Sequence, residues 1–123
     1  MSKTALIVDD STTIRQMVAF TLREAGFTVL EGEHGQAGLL HLDAAKAKVD
    51  LIVTDFNMPV MDGLEFVREV RSRQRYRFTP ILFLTTESDE AVKNAGRVAG
   101  ATGWLFKPFD ADQLLQVIAR VVH

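Results

Sequence analysis

Residues 4–10 of the chain read TALIVDD, an apolar run that ends in two acidic residues. Consecutive apolar side chains point to both faces of a strand, so such a run is typical of a strand covered by helices on both sides. It predicts a first strand at residues 4–8. Similar runs predict strands at residues 51–53, 81–84 and 104–106, and the shorter, half-polar run at residues 28–31 is typical of an edge strand.

The stretch after the first strand carries the signals of a helix. Ser11, Thr12 and Thr13 can each cap its start, and apolar residues follow at three- and four-residue spacing. Gly26 is placed to end it, because glycine readily adopts the left-handed conformation found at helix ends. Residues 35–45, rich in Ala and Leu but without a clean apolar stripe, predict a second helix.

Capping patterns mark two further helices. Asp62 with Glu65, and Asp110 with Gln113, each place an acceptor three residues ahead of an acid or amide. A helix between the fourth and fifth strands is expected to bury an apolar face made of Ala91, Val92, Ala95, Val98 and Ala99. Strands that alternate with helices predict an α/β fold in which a parallel sheet lies between two helical layers.

Size and composition predict one water-soluble domain. The chain has 123 residues, of which 47% are hydrophobic and 24% charged, a balance that excludes disordered and fibrous proteins. Splitting it would leave each half with too small a core. We therefore expect a single domain over residues 1–123, with no output domain.

The charge balance excludes several classes of partner. Fourteen Lys and Arg against sixteen Asp and Glu leave a net charge of -2, which provides no basic field for nucleic acid or an anionic membrane. There is no cysteine, no apolar leader and no apolar run of about 18 residues. We expect a cytoplasmic protein that binds neither nucleic acid nor membranes. The arginines at residues 68–77 are interpreted as a solvated helix end, with a partner-docking patch as the alternative.

Polar residues follow four of the five predicted strands. They are Asp9 and Asp10, Asp55, Thr85 and Thr86, and Lys107. In an open parallel sheet, ligands bind outside the carboxyl ends of the strands. We expect these side chains to face one crevice.

Three carboxylates in one crevice require a counter-charge. At about 4 Å and an effective dielectric near 20, each like-charge pair costs about 4 kcal/mol. Lys107 supplies one positive charge, and Mg²⁺, which binds through carboxylates and leaves coordination positions open for phosphate, fits the rest. With both in place an aspartate can attack phosphorus, and Asp55 on the middle strand is the candidate nucleophile, with the Thr85 hydroxyl available to a phosphoryl oxygen.

Four motifs in order carry a resemblance to a known family. They are Val8-Asp9-Asp10-Ser11, Asp55-Phe56-Asn57-Met58-Pro59 followed by Met61-Asp62-Gly63, Leu84-Thr85-Thr86-Glu87, and Gly103-Trp104-Leu105-Phe106-Lys107-Pro108-Phe109. They resemble the receiver domains of two-component response regulators, and among these the stand-alone, CheY-like chemotaxis type. The resemblance spans residues 3–122 and implies a monomeric flavodoxin-like (βα)5 three-layer sandwich whose five-stranded parallel sheet has the order 2-1-3-4-5.

The resemblance implies roles for individual residues. Asp55 is the phosphoryl acceptor, Lys107 the residue that bridges to the phosphoryl group through a cis bond to Pro108, and Thr85 the switch hydroxyl. Trp104 takes the aromatic switch position where a tyrosine is common, so the tyrosine hydroxyl contacts are not inherited. The implied Mg²⁺ ligands are Asp10, Asp55 and the main-chain carbonyl of Asn57, with Asp9 acting through water, and the implied residues that tune phosphoryl hydrolysis are Asn57 and Glu87.

The same resemblance implies the partners. The phosphoryl donor is a CheA-like histidine kinase, and a flagellar motor switch or another effector reads the surface formed by the fourth and fifth helices and the last strand. The alternatives are a phosphate sink and a single-domain regulator of a pathway other than chemotaxis. The protein is expected to be a signalling switch that catalyses only its own phosphorylation and dephosphorylation.

Two other classes of protein are disfavoured by the residues at one or two positions. A phosphatase of the haloacid dehalogenase type, the distant alternative, needs a second aspartate two residues after its nucleophile, where this chain has Asn57. Flavin- and nucleotide-binding modules cradle phosphate after the first strand, where Asp9 and Asp10 would repel an anion.

Overall fold

Strands and helices alternate along the chain in the computed structural model, which describes residues 3–122. The strands are β1 (Thr4–Val8), β2 (Thr28–Gly32), β3 (Leu51–Asp55), β4 (Ile81–Thr85) and β5 (Gly103–Phe106). The helices are α1 (Thr12–Glu24), α2 (Gly35–Ala44), α3 (Gly63–Ser72), α4 (Glu90–Ala99) and α5 (Ala111–Val121), with a short 3₁₀ turn at Gln74–Tyr76. Every predicted strand is present, so the pattern of apolar runs is confirmed.

The five strands form one parallel sheet in the order β2-β1-β3-β4-β5, as predicted. Helices α1 and α5 pack on one face, where Val18, Leu22 and Leu114 share a core with strand residues. Helices α2, α3 and α4 cover the other face around Leu42 and Phe66. The central strands are buried on both sides, which explains their continuous apolar sequence.

Strands β3 and β4 extend two residues and one residue, respectively, beyond their apolar runs. Asp55 is the last residue of β3 and pairs with Leu84, and Thr85 is the last residue of β4 and pairs with Phe106. We expected Asp55 and Thr85 to follow their strands, but each is the last residue of its strand. A polar side chain interrupts the apolar pattern, but it leaves the backbone free to continue the ladder.

Most of the residues predicted to cap or end helices do so in the structure. The Ser11 hydroxyl, of the three candidates, accepts from the main-chain N–H of Ile14, and Gly26 follows α1 with φ +98°. Asp110 and Gln113 form a complete capping box at α5. The Asp62 carboxylate caps α3 by accepting from the Glu65 N–H.

The buried face of α4 differs from the prediction. Gly96 and Ala99 are buried, whereas Ala91 and Val98 are exposed. Residues 98 and 99 point about 100° apart around a helix axis, so α4 faces the core through the stripe that contains Gly96 and Ala99 and leaves Val98 on its outer side.

Part of the arginine-rich segment is the solvated helix end that we predicted, with Arg68, Arg75 and Arg77 exposed, and part is a network of bonds to other elements. Arg71 donates to the Gly100 carbonyl at 2.7 and 3.1 Å, and also to the carbonyls of Tyr76 and Thr79. Arg73 forms a bidentate pair with Asp43 at 2.7 and 2.9 Å. Further along, Arg75 donates to the carbonyls of Ala45 and Lys46. These bonds tie the end of α3 to the carboxyl-terminal ends of α2 and α4, where positive charge is favourable.

Within residues 3–122, no helix combines the length and apolar character that a bilayer crossing requires.

One valine in the loop between β3 and α3 has an unfavourable backbone conformation. Val60 has φ +70° and is fully exposed, so its side chain gains no packing energy. A β-branched residue in the left-handed region is strained, whereas asparagine is tolerated there. We predict that Val60→Asn raises the free energy of unfolding by about 1 kcal/mol, measured by urea denaturation.

The matched control for this change is Val98→Asn, the same substitution at an exposed valine in regular helix. It should give no gain in stability, because helical φ suits valine and asparagine about equally. A gain at both positions would show that removal of exposed apolar surface, and not backbone strain, is responsible.

Candidate functional site

The sheet topology brings together acidic residues that are far apart in the sequence. Asp9 and Asp10 follow β1, and Asp55 ends the adjacent strand β3. One oxygen from each of the three carboxylates lies within 4.8 Å of the others. Asp9 and Asp55 are buried, whereas Asp10 is exposed at the mouth of the cluster. This acidic cluster has the donor atoms and the spacing to hold a metal ion.

Lys107 reaches into the acidic cluster from the loop after β5. Its Nζ lies 3.0 Å from Asp55 Oδ1 and 3.7 Å from Asp9 Oδ2. The Lys107 N–H donates to the Thr85 carbonyl, which extends the β4–β5 ladder by one bond and fixes where the side chain starts. The peptide bond to Pro108 is cis, as the resemblance implied.

Asp9 carries an unsatisfied oxygen inside the protein. Its Oδ1 accepts from the Ser11 N–H at 2.9 Å, but its buried Oδ2 has no hydrogen-bond partner among the described residues. Burial raises the pKa of Asp9 above its ordinary value of 3.8, and the nearby Asp55 and Asp10 raise it further, against the opposing effects of the Ser11 N–H and Lys107. The fold therefore disfavours the charged form of this group.

Asp55 is subject to the same opposing effects. Burial raises its pKa above 3.8, the hydrogen bond and charge of Lys107 lower it, Asp10 raises it, and a main-chain N–H bond from Asn57 lowers it. The net direction is upward. One ammonium does not offset the desolvation and mutual repulsion of these acids, so added positive charge would be stabilising here.

Gly63, whose role is not evident from the sequence alone, allows α3 to begin next to Asp55. A Cβ at this position would lie 2.6 Å from a ring carbon of Phe83 and 2.8 Å from the Asp55 carbonyl oxygen. Its N–H donates to the Phe56 carbonyl at 2.9 Å. Any larger residue would displace the main chain that carries Asp55, which gives a physical reason for the Met61-Asp62-Gly63 motif.

The remaining predicted site residues lie around the cluster at different depths. Thr85 is buried, and its hydroxyl oxygen accepts from the Glu87 N–H at 2.9 Å. Asn57, Thr86 and Glu87 are exposed at the ends of β3 and β4. The structure thus places one predicted switch residue inside the protein and the two predicted hydrolysis-tuning residues on its surface.

Trp104 packs against the core beneath α4. Its ring stacks on Phe83 at 5.0 Å between centroids and lies 6.1 Å from Phe56. A Cβ on Gly96 would clash with the Trp104 ring, so only glycine at this position of α4 leaves room for the ring in its observed place. Gly96 is a second residue whose role the sequence did not reveal, because the contact joins a helix to a neighbouring strand.

A third such residue is Arg15, which lies beside the acidic cluster on α1. Its Nη1 donates to the Asp9 carbonyl oxygen at 2.8 Å. In sequence it is one polar position of an amphipathic helix, and no local pattern distinguishes it from a solvent-exposed arginine.

Comparison with known proteins gives a consistent result. A family model described as "Response regulator receiver domain" matches residues 5–119. The chain is 39% identical to chemotaxis protein CheY1 of Helicobacter pylori over 95% of its own length and 94% of that protein. It is also 39% identical to the KDP operon transcriptional regulatory protein KdpE of Escherichia coli, but covers only 46% of that protein. The structure of chemotaxis protein CheY4 of Vibrio cholerae matches with a TM-score of 0.95 at 47% identity, covering 99% of this chain and all of that one.

The raised pKa of Asp9 predicts an unusual pH dependence. Between pH 3.8, its ordinary pKa, and its higher folded pKa, the folded chain binds more protons than the unfolded chain, so stability falls as pH rises through this window. We predict that Asp9→Asn is more stable than wild type at pH 7 without Mg²⁺, by about 1 to 3 kcal/mol. Urea denaturation in EDTA, from about pH 4 to about pH 8, measures the effect and its slope.

Asp43→Asn provides a control of opposite sign. The hydrogen bond from Arg73 lowers the pKa of Asp43, so its carboxylate stabilises the fold above pH 3.8, and that contribution is lost as pH falls through its lowered pKa. Its removal should reduce stability at pH 7. If Asp9→Asn were also less stable than wild type at pH 7 without metal, burial of the Asp9 charge would not be a cost to the fold.

Proposed function

The chain belongs to the response regulator receiver domain family, and from this membership we propose that it is a chemotaxis signalling switch, phosphorylated on Asp55 by a histidine kinase. The observation that carries the proposal is the position of Asp55. It ends the central strand, 3.0 Å from the Lys107 ammonium, within a cluster of three carboxylates. Such a carboxylate can act as a nucleophile toward phosphorus while the surrounding charges hold the transferred oxygens.

Mg²⁺ is the metal that this site fits. The ligands offered are all oxygens, and the buried Oδ2 of Asp9 accepts no hydrogen bond from the described residues and has the Lys107 ammonium at 3.7 Å, so a metal-bound water would satisfy it. Asp10, Asp55 and the carbonyl of Asn57 are the proposed direct ligands, with Asp9 acting through water. When bound, Mg²⁺ neutralises charge on the carboxylates and on the phosphoryl oxygens.

In the transfer step an Asp55 oxygen forms a bond to phosphorus as the bond from phosphorus to the donor's imidazole nitrogen breaks. The electron pair of the broken bond returns to that nitrogen. Lys107, already bonded to Asp55 Oδ1, follows the negative charge onto the phosphoryl group. Asn57 and Glu87, exposed at the rim, are the proposed residues that tune attack of water on the aspartyl phosphate.

Phosphorylation then changes a surface by a shift in population. The Thr85 hydroxyl, which accepts from the Glu87 N–H, gains a phosphoryl oxygen to which it can donate. Trp104 transmits this change to the output surface, defined here as the outer side of α4, β5 and α5. That surface exposes Val98 and Phe106, with the Lys93 ammonium 5.1 Å from the Phe106 ring centroid. Exposed apolar side chains beside a cation favour a protein partner there, either a flagellar motor switch or another effector.

The chemotaxis assignment is supported by similarity to CheY1 and CheY4 over nearly their whole lengths. The equal identity to part of KdpE favours one alternative, a receiver that serves another pathway. A role as a phosphate sink, which drains a shared kinase, is a third possibility. Retention of the phosphorylated chain by flagellar motor switch protein would support the chemotaxis assignment. Phosphotransfer from the kinase without any retained effector would support the phosphate sink.

Phosphorylation at one site is the first prediction of this proposal. With Mg²⁺ and acetyl phosphate, intact mass should increase by one phosphoryl group, and Trp104 fluorescence should change. Asp55→Asn should abolish both effects. Asp112→Asn, which removes an exposed acid of α5, is the matched control and should behave like wild type. Undiminished labelling of Asp55→Asn would place the acceptor elsewhere.

Substitution of Lys107 should distinguish phosphorylation of Asp55 from the conformational response to it. We predict that Lys107→Ala is still phosphorylated on Asp55, because the nucleophile and the acidic ligands remain, but loses most of the Trp104 fluorescence response. The mass and fluorescence measurements are made on the same samples. A full fluorescence response in Lys107→Ala would contradict the proposed coupling through the lysine.

A further inference from the structure

Arg15 connects three parts of the molecule that meet beside the acidic cluster. From the first turns of α1, its Nη1 donates to the Asp9 carbonyl oxygen at 2.8 Å. Its Nε lies 3.3 Å from the carboxylate of Glu31 on β2. The side chain is only 15% exposed, so both contacts are largely shielded from water.

The main chain of Asp9 is held at both ends. Its N–H donates to the Gly32 carbonyl at 3.1 Å, and its carbonyl accepts from Arg15. The Asp9 carboxylate accepts from the Ser11 N–H. Asp10 lies between these anchors with an exposed side chain, so its position depends on the peptide group that Arg15 holds.

Arg15 is itself fixed by its partner. The other oxygen of Glu31 accepts from Arg23 at 3.2 Å. Arg23 lies about two turns further along α1 than Arg15. Arg23 shares this acceptor but is 53% exposed, and its guanidinium donates to Glu31. Both arginines pair with Glu31, but Arg15 is the more buried of the two and also bonds to the Asp9 carbonyl.

We infer that Arg15 is a positioning residue for divalent cation binding, which orients the Asp9–Asp10 main chain so that both carboxylates face the metal. The inference rests on the proposed function, because it concerns the same Mg²⁺ site. Residues that hold metal ligands in place commonly contribute 10- to about 100-fold to metal affinity. Because Arg15 already orders this loop, the loop loses less conformational entropy when the cation binds.

The charge of Arg15 and its positioning role predict opposite results. A nearby positive charge opposes a divalent cation, so a residue acting only through charge would weaken Mg²⁺ binding, and its removal would tighten it. If Arg15 positions the loop, its removal weakens Mg²⁺ binding instead. The sign of the change therefore distinguishes the two.

The test is Mg²⁺ affinity of the whole chain, measured by isothermal titration calorimetry with MgCl₂. Arg15→Met keeps the long apolar stem and the helix propensity but loses the guanidinium, and we expect its Kd for Mg²⁺ to rise about tenfold. Arg23→Met, which removes the other arginine on Glu31, should change Kd by less than about twofold. The increase in Tm on addition of Mg²⁺ provides a second readout, and it should shrink in Arg15→Met alone.

The outcomes are distinguishable from failure of the proposed function. A wild-type chain without Mg²⁺ affinity would overturn the proposed metal site itself. A wild-type chain that binds Mg²⁺, with Arg15→Met binding equally or more tightly, would overturn only the positioning role. Equal weakening in Arg23→Met would also overturn it, since the shared Glu31 network would then be responsible. Should Arg15→Met not unfold cooperatively, Arg15→Gln, which is shorter than arginine and lacks the guanidinium that holds the Asp9 carbonyl, carries the same expectation.

Discussion

Burial of carboxylates around a single ammonium is the constraint on which this structure depends. Asp9 and Asp55 are withdrawn from water, and burial is the largest cause of their raised pKa values. Lys107 supplies one positive charge against three acids, and one oxygen of Asp9 accepts no hydrogen bond from residues 3–122. The arrangement costs the metal-free fold stability. The same cost is the physical basis of the proposed affinity for Mg²⁺ and for a phosphoryl group, because both relieve it.

The main chain, more than the side chains, holds this arrangement in place. Asp55 stays within the sheet ladder as the last residue of β3, and Gly63 lets α3 begin in contact with it. The main chain at Lys107 is held by the hydrogen bond from its N–H to the Thr85 carbonyl. Arg15 acts on the carbonyl of Asp9 in the same way. A site built on ladder ends and backbone bonds keeps its geometry while its exposed members, such as Asp10, remain open to ligand.

Aromatic packing joins the acidic cluster to α4. Phe56 follows Asp55 directly, Phe83 precedes Thr85 by two residues in β4, and both rings contact Trp104. Gly96 receives the Trp104 ring without an intervening side chain. These contacts form a contiguous path from the site to the proposed output surface. Thr85 and Phe83 are two residues apart in β4 and so lie on the same face of the sheet, which places the proposed switch hydroxyl beside these rings.

Element types, the parallel sheet and the chemistry at the strand ends could be predicted from the sequence, because hydrophobic patterning and residue chemistry are local properties. The exposure of Val98 could not, since the face that α4 turns inward depends on the sheet beneath it. Arg71 and Arg73 bond to groups 29 and 30 residues away, and a local run of arginines does not identify such partners. The same holds for Arg15. Sequence alone determined the elements and the chemistry at the strand ends, whereas the tertiary structure decided which distant groups meet and which atoms bond, because distant segments must first be packed together.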